Sequence, residues 1–428
     1  MNKKVMLLPS AIAVLLAPLL FGWGFAAHRE RVFPYSVLKL AADRVGLTEG
    51  TERTRTRQQI RPVTAELKSL ASLPYLQLTP DPNYEQSGVL LFEKERASPG
   101  LNFWSSFSPS KTAQLIDMNG DVVREWSYPA SARQWHHAEL LPDGSVLVVL
   151  KDQGLLKLDE SSELIWSADT RPHHDLWIDD EGDIYLLTRW PVSIPELHPT
   201  NKILDERITI LTRDGVAKDE ISLLSIFRNS PYATLLPNVS HLEFDPGVAL
   251  DLIHTNHVEV FDGSQESRSP LFKRGNILVS ARHLNAIAIV DGQTREIVWL
   301  WGPNNVALQH EPTLLENGNI LLFDNGTEKS RVLELNPVTG LIDWSYAPDE
   351  GFYSYWGGSV QRLPNGNTLV TETATGYVRE VTPQGEIVWR FANPATTEDG
   401  ERWNLWRMKR FQAEDLPFLD KTAPGVGE

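Results

Sequence analysis

Three histidines share one register. His136, His174 and His310 each stand eight positions before the glycine of a tight turn, at Gly144, Gly182 and Gly318, and Gly358 holds the same place before Gly366. Aligning NHVEVF with HHAELL puts Asn256 at this position in an interrupted unit, with His254 two residues earlier on the same face of an extended strand. Seven positions after Gly144, Gly182, Gly275, Gly318 and Gly366 come Lys151, Arg189, Arg282, Asn325 and Thr373. A lone histidine at a strand start is ordinarily a hydrogen-bonding residue, and recurrence at one register is what sets these apart. Imidazoles beside guanidinium and ammonium groups make a pocket for an anion, and phosphate, carboxylate and sulfate all fit it. His173, His174 and Asp175, or His254, His257 and Glu259, offer ligand types for a divalent cation. Lys151, Arg189 and Arg282 would repel one, so no metal is expected.

The elements that must position these residues are short strands. From Gly88 onward, β-branched runs alternate with Asp-Gly, Asn-Gly and Pro-Asp-Gly turns, which is hairpin chemistry. The units HHAELLPDGSVLVVLKDQGLLKLDESSELIWSAD, HEPTLLENGNILLFDNGTEKSRVLELNPVTGLIDWSYA and GGSVQRLPNGNTLVTETATGYVREVTPQGEIVWRF align, with HDLWIDDEGDIYLLTRW as a half-unit. With the interrupted unit around RGNILVSARHLNAIAIVDGQTREIVWLWG they predict an all-β, six-bladed propeller of four-stranded antiparallel blades over 86–412, then a tail over 413–428. Trp126, Trp166, Trp299, Trp344 and Trp389 close the last strand of their units, where packing between blades calls for a large aromatic. The first unit, GVLLFEKE followed by TAQLIDMNGDVVREW, lacks an inner strand. RWNLWRMKRF near the C-terminus can supply it and close the ring. In such a meander the start of the inner strand and the end of its hairpin partner lie at one face, so the two residue sets should meet at the central channel.

A formal charge of -16 argues against nucleic acid as a partner, and the absence of cysteine excludes disulfides and thiolate chemistry. Lys3 and Lys4 precede a run from Val5 to Ala27 without charge, long enough to span a bilayer. Residues 1–32 are therefore expected to form a single-pass signal anchor with a cytoplasmic N-terminus, a cleaved secreted form being the alternative. Residues 33–85 read as a helical linker. Insertions at 190–205, 222–253 and 264–273 can border the channel mouth.

HHDLWIDDEG, LIHTNHVEV, LVSARHLNAIAIVDGQTREIVWLWG, QHEPTLLENGNILLFDNG and SVQRLPNGNTLV resemble the bacterial arylsulfotransferases, which use aryl sulfates and no nucleotide sulfate donor. The resemblance runs from about His136 to Arg390. It implies a six-bladed propeller exported to the periplasm, with a histidine that is transiently sulfated. Carried over by motif, His310 of QHEP is the nucleophile, His254 of HTN and His174 of HHD assist, and Arg282 of SAR holds the sulfuryl oxygens. His136, His173, Asn256, Arg189, Lys151 and Asn325 are then expected to line the substrate site. Trp190, Phe352, Tyr353, Tyr355 and Trp356 are candidates for stacking on an aryl ring. No cofactor is expected. The partners are a small aryl sulfate and a phenol, the membrane through the N-terminal segment, and no nucleic acid, with homo-oligomers left open. The chain departs from the family in having no cysteine pair and no β domain ahead of the propeller. Two other readings stand beside this one: a non-catalytic propeller that binds an anionic ligand, and a quinoprotein-like dehydrogenase suggested by TGLIDW and GEIVW.

Overall fold

Short aliphatic runs, each cut off by a glycine-bearing turn, pair antiparallel into six sheets arranged as a propeller. The computed structural model describes residues 78–106, 112–128, 135–348 and 351–419. Blade 2 is the plainest meander: Trp135–Leu140, Val146–Leu150, Gly154–Leu158 and Leu164–Ala168, from channel to rim. Blade 3 begins at Pro172–Ile178, blade 4 at Thr255–Val260, blade 5 at His310–Leu314 and blade 6 at Ser359–Arg362. The middle strands lie between neighbouring blades and are buried on both faces, so they read as unbroken apolar runs such as Ile277–Ala281 and Ala286–Val290. Rim strands such as Ile342–Tyr346 are largely exposed.

The ring is closed by both ends of the described chain. Leu405–Phe411 supplies the inner strand of blade 1 and pairs with Leu101–Ser106, as the alternation of RWNLWRMKRF predicts. Two expectations need correction. The GVLLFEKE segment does not belong to blade 1: Gly88–Phe92 adds a fifth strand to the rim of blade 6, where Val89 and Phe92 pack against the cluster holding Trp389 and Phe391. The second strand of blade 1 is LNFWSS instead. The helical linker expected over 33–85 ends as β structure, because Leu78–Pro80 pairs with Glu401–Trp403. The rest of that linker before residue 78 and the expected anchor over 1–32 lie outside the described residues. Among the described residues no helix is long and apolar enough to cross a membrane.

The recurring tryptophans peg one blade to the next. Trp126 Nε1 donates to the Gly144 carbonyl (3.0 Å), Trp299 to Pro337 (3.0 Å), Trp344 to Pro383 (2.9 Å) and Trp389 to Met118 (3.0 Å). Trp166 packs its ring on Gly215, where a Cβ would come within 2.7 Å of it. Five seams are thus held by an aromatic wedge, and in four of them the indole N–H is satisfied across the seam. The tail continues this packing, with Leu416 and Phe418 buried and the Phe418 ring 6.3 Å from that of Trp126.

Arg410 clasps the closing strand. Its buried guanidinium donates to Asn102 Oδ1 (2.8 Å) and the Ser98 carbonyl (2.9 Å), and it pairs with the buried Glu380 of blade 6. Replacing Arg410 by leucine leaves the buried Glu380 carboxylate without its countercharge, held only by the Ser98 N–H and Asn367 Nδ2 at Oε1. We expect Arg410→Leu to cost about 3–5 kcal/mol, read from the shift in denaturant midpoint, whereas Val338→Ala on the exposed rim should stay within about 0.5 kcal/mol.

Candidate active site

The inner strands are irregular where the channel residues sit. Pairing slips between Trp135 and His137, Pro172 and Leu176, Thr255 and His257, His310 and Thr313, and Leu405 and Arg407. A bulge re-aims the extra side chain, and here it frees His136, His173, His174, Asn256, Glu311 and Trp406 from strict alternation. The freed groups meet across blades: the His136 ring lies 4.3 Å from that of Trp406 and 5.2 Å from that of His174, and the His174 ring lies 4.7 Å from that of His254. His174, His254 and Glu311 hold φ of 54°, 52° and 45°, left-handed values that cost non-glycine residues roughly 1–3 kcal/mol each. Blade 6 places Gly358 at the register that histidine holds in blades 2, 3 and 5. A Cβ on Gly358 would come within 2.5 Å of the Phe323 ring, and its absence leaves a small cavity lined by His310, Asn256, Glu311, Thr373, Trp406 and Arg407.

His310 is held by an amide. Asn325 Nδ2 donates to the carbonyls of Ser354 (2.7 Å) and Gly357 (2.6 Å), which turns Oδ1 toward His310 Nδ1 at 2.7 Å. An acceptor there keeps the proton on Nδ1 and places the lone pair on Nε2. Burial, followed by the nearby Arg282 guanidinium, pushes His310 down to about 3. Gln309 steadies the backbone before it: its carbonyl accepts from Asn256 Nδ2 (2.9 Å), while its own amide donates to Ser280 Oγ (3.0 Å) and the Ala286 carbonyl (2.9 Å). Arg282 follows the second strand of blade 4, and its N–H is tied to the His254 carbonyl (3.1 Å). Its charge adds to burial in lowering both His254 and His310.

The other histidines form a row bounded by carboxylates. His173 Nε2 lies 3.2 Å from Glu206, its Nδ1 lies 2.7 Å from His174 Nδ1, His174 Nε2 lies 3.2 Å from His254 Nε2, and His254 Nδ1 lies 2.6 Å from Asp251. Asp251 comes from the insertion at 222–253 and also accepts from the His254 N–H (2.8 Å). Burial holds His136, His174 and His254 well below the usual imidazole range, with neighbouring charges adding to it at His136 and His174. Burial alone would raise Asp251, but His254, His283 and Arg189 overcome it and keep this carboxylate ionised. Arg189 is committed to Asp152 through two bonds of 2.9 and 2.7 Å, which takes it out of the set of available anion contacts. Lys151 lies half-buried beside it, lowered to about 8 by burial and then by Arg189.

Beneath this row lies a tier of buried charge. Arg407 contacts Asp175 (3.1 Å) and Glu311 (3.0 Å), and Asp175 lies 2.7 Å from His257. Burial would lower His257, but Asp175 and Glu259 raise it to about 9. Burial raises Glu311 to about 7 even against Arg407. The tier separates the two metal triads considered from sequence, since Asp175 and His257 face each other here while His173, His174 and His254 lie above. Asp251, His254 and His283 bring one ligand atom each within 4.8 Å of one another, already joined by hydrogen bonds.

All ten residues singled out by register and motif gather around the channel. Asn325 positions His310, so it is not placed to hold substrate. Of the aromatic candidates, Phe352 is packed between Phe323 and Tyr346 in the core and Tyr353 caps the Thr327 carbonyl (3.0 Å). Trp356 is buried beside Trp406, whose ring faces the cavity and which sequence reasoning used only as part of a closing strand. Glu206, Asp251, Glu311 and Arg407 were also missed. Trp406 and Arg407 occupy, at the pairing slip of the closing strand, the places that HH and NH occupy at theirs, but no turn glycine follows RWNLWRMKRF to mark them in the sequence. Glu206 lies on the third strand of its blade, where no offset from a first turn points.

Solved structures resembling this chain are distant. A protein of unknown function from Bacteroides caccae matches with a TM-score of 0.48 and 12% identity, covering 73% of this chain and 98% of its own. Virginiamycin B lyase from Staphylococcus aureus gives 0.43 and 12%, covering 73% and 89%, and Kuenenia stuttgartiensis hydrazine synthase gives 0.43 and 11%, covering 68% and 83%. Likenesses this remote bear on neither activity nor ligand. No curated protein matches the chain. The family described as arylsulfotransferase (ASST) matches residues 137–394, from the second channel histidine to the end of blade 6, and the chain belongs to that family.

Proposed function

We propose that the protein transfers a sulfuryl group from an aryl sulfate to a phenolic acceptor through a sulfohistidine at His310. One observation carries this reading: a neutral imidazole with its lone pair on Nε2 borders a cavity under the field of Arg282, a charge that also acts on the neutral His254 of blade 4. Family membership supports the reaction class.

Sulfuryl transfer, like phosphoryl transfer, passes through a loose planar group whose oxygens carry the charge. His310 Nε2 attacks sulfur as the aryl oxygen departs, and Arg282 holds the sulfuryl oxygens, with Asn256 at the cavity wall. Burial keeps His310 unprotonated and the same guanidinium adds to it, so one charge helps prepare the nucleophile and steadies the transition state. The departing phenolate has a conjugate acid of pKa about 10 and takes a proton from the His174–His254 pair. Trp406 offers its face to the aryl ring. In the second half of a ping-pong cycle the acceptor phenol attacks the sulfohistidine and returns that proton.

Purified wild-type protein is expected to move sulfate from 4-nitrophenyl sulfate to a phenol. After brief exposure to donor, mass spectrometry should find an acid-labile sulfuryl adduct on the peptide bearing His310. His310→Asn should lose both while keeping its melting temperature, and an inert wild type would overturn the assignment. Arg282→Gln is expected to lower kcat about 10²–10³-fold by removing a preorganised cation. The pH profile provides a further check. His310 reacts as the free base, present above its lowered pKa, so loss of the nucleophile should set in only as pH falls through about 3. A nucleophile limb near the ordinary imidazole value of about 6.5 would contradict the burial described here.

A further inference from the structure

The inner strands of blades 3, 4 and 5 end, away from the channel histidines, at a second and larger cavity. It holds about 430 Å³ and is bordered by the turns that follow Pro172–Ile178 and His310–Leu314 and by the segment from Glu259 to Asp262. Seven carboxylates and two cations line it, and both cations are already engaged: Lys218 pairs with Asp183, and Arg274 lies 3.0 Å from Asp180. Among the described residues Asp179, Glu181, Asp262 and Glu316 form no ion pair, so the cavity keeps an excess of negative charge. Acidic turns are ordinary on a protein surface, but the floor here is not. Glu259 borders the cavity and is only 5% exposed. Its Oε2 accepts from the Leu314 N–H (3.1 Å) and lies 3.9 Å from His257 Nε2, whereas its Oε1 meets no donor among the described residues. A buried carboxylate oxygen without a donor is costly unless a ligand supplies one. The walls are aromatic, since Trp177 and Tyr185, which pack on the core shared by blades 3 and 4, line the cavity beside Phe261.

How these groups are spread decides what fits. Among the described residues only Asp251, His254 and His283 bring three ligand atoms within 4.8 Å of one another, so no three carboxylates of this cavity converge on a point. A hard metal ion needs such convergence, because it takes six or more oxygens at short range. An extended cation needs none: it meets separate carboxylates in turn, and its methylene segments and ammonium groups lie against aromatic faces. We propose that the cavity binds a linear aliphatic polyamine, with one ammonium set against Glu259 Oε1, others reaching Asp262 and Glu316, and the intervening chain lying along Trp177 and Tyr185. The ammonium donates the hydrogen that Oε1 lacks, as a charge-assisted bond. Binding there requires no sulfuryl transfer and stands independently of that reading.

Equilibrium dialysis of spermidine against the full chain at low salt tests the site. Wild type should hold one spermidine in a saturable manner. Glu259→Gln keeps the shape but removes the charge at the floor, and should weaken binding about 10-fold or more. Asp262→Asn combined with Glu316→Gln, both exposed, should weaken it about 5-fold, whereas Glu398→Gln combined with Asp399→Asn removes the same charge elsewhere on the surface and should stay within about 2-fold. Equal losses in the two double variants would mean that the formal charge of -16 attracts the amine without a site, and would overturn the proposal. Unsaturable binding, no binding, or an unchanged Glu259→Gln would do the same. Calcium dialysed alone should not be retained, and retention that Glu259→Gln abolishes would make this a metal site instead. If Glu259→Gln does not fold, the two double variants decide between site and surface charge.

Discussion

The channel is held at its centre by one guanidinium. Arg407 enters from the closing strand of blade 1 and contacts Asp175 of blade 3 and Glu311 of blade 5, and Asp175 passes the contact on to His257 of blade 4. A buried arginine is costly to desolvate, and removing a single partner leaves the others uncompensated. Such a network is weak evidence for stability, since well-packed apolar residues would hold a core as well. What an apolar core would not provide is direction. Arg407 joins carboxylates of blades 3 and 5 to blade 1, and Asp175 extends the tie to blade 4, so these four blades share one charged junction at the axis just below the channel histidines.

Above that junction the upper tier is chemically poised. His174, His254 and Glu311 occupy left-handed backbone, and His310 sits between two such residues, Leu308 and Glu311. A loose loop would relax out of these conformations, whereas bulges pinned below by charge and beside by Asn325 and Gln309 do not. Burial and the cations work in the same direction on the imidazoles, keeping them neutral in a protein of formal charge -16. The overall field is therefore a poor guide to the potential inside the channel. Local pairs decide it, and Arg189, bound to Asp152, contributes much less positive charge than its position suggests.

Turn spacing made much of this legible. Propeller strands repeat at fixed offsets from tight turns, and the side chain at one offset must face the axis in every blade, which is why His136, His174, His310 and Arg282 were found without a fold in hand. The same logic reached the closing strand but stopped at its pairing, because no turn glycine follows RWNLWRMKRF to give Trp406 and Arg407 an origin for counting. Other features had no local signature. Asp251 arrives from an insertion whose path depends on packing around Leu223–Arg228 and Leu250–Ile253. Glu206 is one acidic residue in a strand of otherwise ordinary composition. The rim position of Gly88–Phe92 was misread because its apolar pattern suits any blade edge, and only contact with Phe391 and Trp389 selects blade 6.

The closing strand also sets an order of events in the life of the molecule. Trp406 and Arg407 lie near the end of the chain, about 270 residues beyond His136, the first histidine of the row. A ribosome delivers them last, after the other blades have been synthesised. Until then the nascent polypeptide contains His310 and Arg282, but the Trp406 wall and the central guanidinium are missing. A fragment released early therefore carries an open ring, its channel histidines lacking the Trp406 ring beside His136 and the Arg407 contact to Asp175.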